Sequence, residues 1–150
     1  MSKKRLTRKQ KQAVFERARG CCEYCLCQAC FNPDPLSSEH VIPRHRGGAT
    51  TLDNLALCCQ ACNNHKHTKT DATDPLTGET VPLYHPRKQR WRDHFTWNDD
   101  STIIIGLTPS GRATVETLHL NRSSLINLRK VLRSNGEHPP NHPGRNGYQD

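Results

Sequence analysis

Two Cys-x-x-Cys pairs, Cys22-Glu23-Tyr24-Cys25 and Cys59-Gln60-Ala61-Cys62, bracket 33 residues and constrain this chain more than any other feature. A tight turn at each pair can aim two thiolates at one ion, and two such turns complete a tetrahedral site. Four thiolates leave no open position, so an ion held this way is structural, and zinc is its natural identity. A third pair, Cys27-Gln28-Ala29-Cys30, and the extra Cys21 and Cys58 leave the choice among the eight cysteines open at this level. A redox role would call for a thioredoxin-like βαβ setting around a Cys-x-x-Cys pair, and the sequence offers none.

The composition explains why a staple is needed. Only 33% of the 150 residues are hydrophobic and 5% aromatic, with 10 Pro and 9 Gly. Such a chain buries little apolar surface, and metal binding can substitute for the missing core. No stretch has the apolar length of a signal peptide or a membrane span; the longest aliphatic run is Ile103-Ile104-Ile105. The expected compartment is the reducing cytoplasm, where paired cysteines serve as metal ligands rather than disulfides.

The formal charge is +8 and the pI about 9.3. Residues 1–20 carry eight Lys or Arg against Glu16 alone. An excess of this kind favours a polyanionic partner, nucleic acid before a membrane surface.

Along the chain, residues 1–6 read as a disordered basic start. Thr7-Arg8-Lys9-Gln10 forms a capping box for a helix that Gly20 ends. Residues 36–42 and 52–57 read as short strands around a basic Gly47-Gly48 loop, and Cys59 to Lys69 as a helix. Asp71–Gly78 reads as a turn-rich linker, followed by an aromatic and basic segment over residues 83–97. The Thr108-Pro109-Ser110-Gly111 tetrad suggests the turn of a hairpin joining 102–107 to 112–120. Asn121 is the expected cap of a last helix carrying Leu125, Leu128 and Leu132, with Gly136 as its stop and 137–150 as a loose tail.

The intervening residues carry the chemistry. Glu39-His40 lies on the first strand, Asn54 follows the glycine loop, and Cys62 leads into Asn63-Asn64-His65-Lys66. Adjacent strand residues face opposite ways, so Glu39 and His40 cannot share an ion unless a twist or bulge intervenes; they can divide the labour of a hydrolytic site, one holding a hard cation and the other taking a proton from water.

The pattern Cys-x-x-Cys, Glu39-His40-x-x-Pro43, Gly47-Gly48, Asn54-Leu55 and Cys59-x-x-Cys62-Asn63-x-x-Lys66 resembles the HNH endonucleases, in the subgroup with a four-cysteine zinc, over about residues 20–69. A softer likeness to the C-terminal part of bacterial HNH proteins runs from Tyr84-His85-Pro86-Arg87 to Gly111-Arg112. The resemblance, with the preceding helix, selects Cys22, Cys25, Cys59 and Cys62 as the zinc ligands.

It implies an α+β fold: a small zinc-stabilised ββα-metal (His-Me finger) core over 7–70, with an N-terminal helix and a C-terminal hairpin-plus-helix extension over 71–136. It also implies that His40 is the general base, that Glu39 and Asn63 hold a catalytic divalent cation, and that Asn54 fixes the loop carrying His40. Asn63 stands where the family often has histidine. An amide oxygen suits Mg²⁺ or Mn²⁺ better than a soft metal, and His65 is a secondary candidate for that shell. Arg44, His45, Arg46, Lys66 and Lys69 are the candidate phosphate contacts.

Two classes of function follow. One is a metal-dependent DNA endonuclease, with nicking the expectation for a single site. The other is a non-catalytic zinc module that binds nucleic acid, for which the Glu39, His40, Asn54 and Asn63 set has no purpose.

Overall fold

The computed structural model describes residues 5–140. Residues 1–4 and 141–150 lie outside it, and with them most of the expected disordered start and of the expected tail. Helix α1 (Arg8–Arg17) begins as the sequence predicts. The Thr7 hydroxyl accepts from the Gln10 amide and the Gln10 side chain accepts from the Thr7 amide. Gly20, at φ +72°, turns the chain into the first cysteine knuckle.

Strand β1 (Ser37–His40) pairs antiparallel with β2 (Leu55–Cys58), setting Glu39 opposite Ala56 and His40 opposite Leu55. Helix α2 (Gln60–Lys66) follows at once, completing a ββα unit. One face of this hairpin meets α1, where Val14, Ala18, Leu55 and Leu57 form a small buried cluster.

The remaining elements are two further two-stranded sheets and three helices. Strand β3 (Asp71–Thr73) pairs with β4 (Thr80–Pro82), and β5 (Phe95–Trp97) with β6 (Ile104–Gly106). Helix α3 (Trp91–His94) leads into β5, while α4 (Pro109–Leu118) and α5 (Ser123–Ser134) close the fold.

Three expectations are corrected here. The extension does contain a hairpin followed by a helix, but its strands are β5 and β6, and residues 112–120 are not a strand. Thr108 caps α4, accepting from the Gly111 amide with Pro109 in the first turn, so the Thr-Pro-Ser-Gly tetrad starts a helix rather than a turn. Asp71–Gly78 is not a linker but a strand and a tight turn. Asp74 is fully buried, accepts from the Leu76 amide and the Thr77 hydroxyl, and is gripped by the Arg112 guanidinium through two bonds of 2.9 Å. The start of the expected tail is docked: His138 is buried, sits edge-on to Trp97 and reaches the Ser101 carbonyl at 2.7 Å.

The larger core joins the knuckles to the extension in one cluster, running from Cys22, Cys25, Cys59 and Cys62 through Tyr84, Trp91 and Phe95 to Leu118, Leu120 and Leu125. The aromatic segment is therefore interior. Trp91 is buried with its indole N–H on the Tyr24 carbonyl, and Trp97 lies beneath the Arg129 guanidinium at 5.1 Å. Among the described residues no helix is long and apolar enough to cross a membrane.

Candidate metal centre and hydrolytic site

The sulfurs of Cys22, Cys25, Cys59 and Cys62 all lie within 4.8 Å of one another, and all four residues are buried. Cys25 and Cys59 Sγ are 3.7 Å apart. A tetrahedral zinc with bonds of about 2.3 Å sets its sulfurs about 3.8 Å apart, a spacing that the Cys25 and Cys59 sulfurs already have and that the cluster as a whole approaches. The eight cysteines are free thiols. Cys27 lies beside the cluster, but Cys30 is exposed, so the alternative pair is split. Cys21 lies outside the cluster of four, with its Sγ 3.7 Å from the Arg19 carbonyl, and burial pushes its thiol up to about 12.

The first knuckle is tied to the hairpin and to the extension through one carboxylate. Glu23, buried in the first Cys-x-x-Cys turn, accepts from the Leu57 amide and pairs with Arg87, which also donates to the Leu55 carbonyl. Sequence reasoning missed this pair, because its members are 64 residues apart.

Between the knuckles, the strand that carries Glu39 and His40 is held at its end. The Asn54 amide makes three bonds: Oδ1 accepts from the Ile42 amide at 2.9 Å, and Nδ2 donates to the Ile42 and Ala49 carbonyls at 3.0 and 2.9 Å. The Val41 amide adds a bond to the Asn54 carbonyl. Gly48 is required by this closure, since a Cβ there would meet the Ile42 carbonyl oxygen at 1.8 Å and Asn54 Nδ2 at 2.8 Å. Gly48→Ala is therefore expected to lower the unfolding free energy by about 1–3 kcal/mol, through overpacking of the loop. Urea unfolding checks this, and an unchanged midpoint would show that the loop yields freely.

His40 is half-buried, with Nε2 2.9 Å from the Thr50 hydroxyl. The Thr50 carbonyl in turn accepts from the Gln10 side chain, which ties the loop to α1. The His40 pKa lies below the ordinary histidine value, because burial and the Arg44 charge disfavour the cation more than Glu39 favours it. Glu39 accepts from the Ser37 hydroxyl at 2.7 Å. Asn63 stands in the first turns of α2, half-buried. His65 packs its ring against His119, with centroids 4.4 Å apart.

The basic residues divide. Arg44, His45 and Arg46 form one exposed 3₁₀ turn after Pro43, and Arg46 bonds the Thr70 hydroxyl. Lys69 is exposed at the end of α2. Lys66 corrects the expectation of a phosphate contact: it is buried, and its ammonium donates to the Val41 carbonyl at 2.8 Å. It thus braces the turn directly after His40, and the sequence signal for this was its place four residues after Cys62, on the same buried face of α2. Thr50, the partner of His40, carried no such signal.

Residues 22–69 match the HNH endonuclease family. The matched segment, about a third of the chain, contains both knuckles, the ββα unit and the loop closed by Asn54, and in these features it is similar to an HNH domain with a four-cysteine cluster. Comparison with curated proteins and with solved structures gives no match. The family points to a nuclease type of function and to nucleic acid as substrate.

Proposed function

We propose that the chain is a DNA endonuclease that hydrolyses one phosphodiester bond per encounter, with a structural zinc in the cysteine cluster and a Mg²⁺ or Mn²⁺ ion at Glu39 and Asn63. The observation that carries the reading is the closed loop after β1. Asn54, Gly48 and Lys66 converge on the Val41-Ile42 backbone directly behind His40, an investment that a mere binding module does not need.

His40 acts as the general base. With Nε2–H donating to Thr50, the Nδ1 lone pair is left to take a proton from the attacking water. Its lowered pKa keeps that lone pair available at neutral pH. The divalent ion, when bound, would neutralise charge on the phosphate and on the departing oxygen. A carboxylate and an amide oxygen are hard donors that fit such a cation.

The exposed Arg44, His45, Arg46 and Lys69 contact flanking phosphates, and α1 adds salt-sensitive affinity through Arg8, Lys9 and Lys11. Arg17 is spent differently, on the Leu52 and Leu55 carbonyls. In this reading residues 7–70 are the catalytic unit and 71–136 its support, and the protein works in a reducing cytoplasm, where its thiols persist.

The test of the ligand assignment is Mn²⁺ binding followed by electron paramagnetic resonance on the zinc-loaded chain. Glu39→Ala and Asn63→Ala are each expected to weaken Mn²⁺ binding at least tenfold, while the zinc content and the salt-dependent affinity for plasmid DNA stay the same. Unchanged Mn²⁺ affinity in both variants would remove these residues from the metal site.

A further inference from the structure

The zinc site implies a charge that the four cysteines do not themselves resolve. A zinc ion with four thiolates carries a net −2, and all four cysteines here are buried. A buried anion of that size is costly unless hydrogen bonds or a cation offset it. Glu23, in the first knuckle, cannot help, and Arg87 is committed to it. Arg129 is buried nearby, but its guanidinium is taken by the Thr102 and Leu120 carbonyls.

Arg122 is placed for the task. Its Nη2 lies 3.4 Å from Cys59 Sγ and its Nη1 3.7 Å from Cys62 Sγ, so one guanidinium fork spans both sulfurs of the second knuckle. Its position is fixed from three sides. Nη1 also donates to the His119 carbonyl at 3.1 Å, His119 at the end of α4 is in the left-handed region, and Leu120 beside it is fully buried. Asn121, next in sequence, bonds both the amide and the carbonyl of Ile104 in β6. The α4–α5 junction thus holds Arg122 against the thiols from outside the matched HNH segment.

We propose that Arg122 is the electrostatic partner of the zinc site: its guanidinium donates to the Cys59 and Cys62 thiolates, offsets the tetrathiolate charge, slows zinc loss and latches the C-terminal helices to the metal. This inference rests on the zinc occupancy proposed above. Arg122 is a positioning residue, acting on the zinc through the sulfurs. Hydrogen bonds of this kind draw electron density from sulfur, and outer partners of metal ligands typically account for 10–100-fold in metal affinity.

The experiment compares the full chain with Arg122→Ala, Arg122→Lys and, as a control on the exposed side of α5, Arg133→Ala. Zinc release to an excess of a chromophoric chelator is timed, and the thiolate-to-metal charge-transfer band of the cobalt-substituted proteins is recorded. Arg122→Ala is expected to release zinc roughly 10–100 times faster and to shift the band to lower energy, as sulfur lone pairs freed of their donors rise in energy. Arg133→Ala is expected to match wild type in both. Should Arg122→Ala fail to fold, Arg122→Lys decides the matter: it keeps the charge but not the fork, and a shifted band supports the proposal. Faster release with an unmoved band would show a merely structural role and overturn it, as would wild-type release in both Arg122 variants. A wild-type chain that binds neither zinc nor cobalt overturns the zinc reading itself, and this inference with it.

Discussion

Stripping zinc from the protein with a strong chelator is expected to abolish its cooperative thermal transition. The large core cluster is built around the four ligand cysteines, two of which, Cys22 and Cys62, have no exposed surface. Binding of a structural zinc is worth about 10–16 kcal/mol in small domains. Net stabilities are about 5–15 kcal/mol. With 33% hydrophobic residues, the chain has a limited core to compensate for a lost ion at its knuckles. Cys62→Ser is expected to behave like the chelated protein, because a hydroxyl is a poor zinc ligand and this side chain faces the cluster centre. Cys30→Ser, at an exposed thiol outside the cluster, is expected to melt like wild type. A chelated chain that still melts cooperatively at the wild-type temperature would show that the core stands without metal.

The second large effect concerns His40. His40→Ala is expected to lower the cleavage rate by about 10²–10⁴-fold, the contribution typical of a general base, with DNA affinity retained. The pH dependence follows from the sign of the shift. Burial first, and Arg44 next, favour the neutral imidazole, so the folded pKa lies below the ordinary value near 6.5. The active form is the neutral one. The rate is therefore expected to be flat through neutral pH and to fall only on the acid side of the ordinary histidine range. Removing the positive charge in Arg44→Ala should move the inflexion upward, since the Arg44 charge disfavours the imidazolium. A rate that rose toward acid pH, or an inflexion unmoved in Arg44→Ala, would contradict this assignment.

Much of the site was legible because it is local. The capping box of α1, the helix after Cys59 and the two knuckles each follow from residues within a few positions of one another, whereas the strand expected up to Pro43 stops at His40, where Asn54 bonds the Ile42 backbone instead. Asn54 was recognised by resemblance, and its three bonds supply the physical reason for its place. What escaped depends on distant partners or on ambiguous local chemistry. Thr108-Pro109-Ser110-Gly111 suits a turn and a helix start equally well, and α4 prevails because Thr108 caps it and its Gly111, Ala113, Thr114 and Leu118 are buried. Asp74 looked like a loop residue because its partner, Arg112, lies 38 positions away. Asn121 looked like a helix cap, yet its amide is used across the fold on Ile104, and Arg122 occupies the cap position. Lys66 has the composition of a phosphate contact and the environment of a structural cation, and burial rather than charge pattern separates the two.

In the proposed reading, the HNH-like segment cuts nucleic acid by metal-assisted hydrolysis rather than merely holding it. Conversion of supercoiled plasmid to the open circle by the zinc-loaded chain, measured over a titration of Mg²⁺ and Mn²⁺ and run beside His40→Ala, tests it most directly. Wild type is expected to nick only with the added cation, at constant zinc content, while in His40→Ala the plasmid is expected to be bound yet to stay supercoiled. Wild-type protein that binds plasmid tightly and leaves it supercoiled at every concentration of both cations would contradict this reading and leave a zinc-stapled binding module in its place.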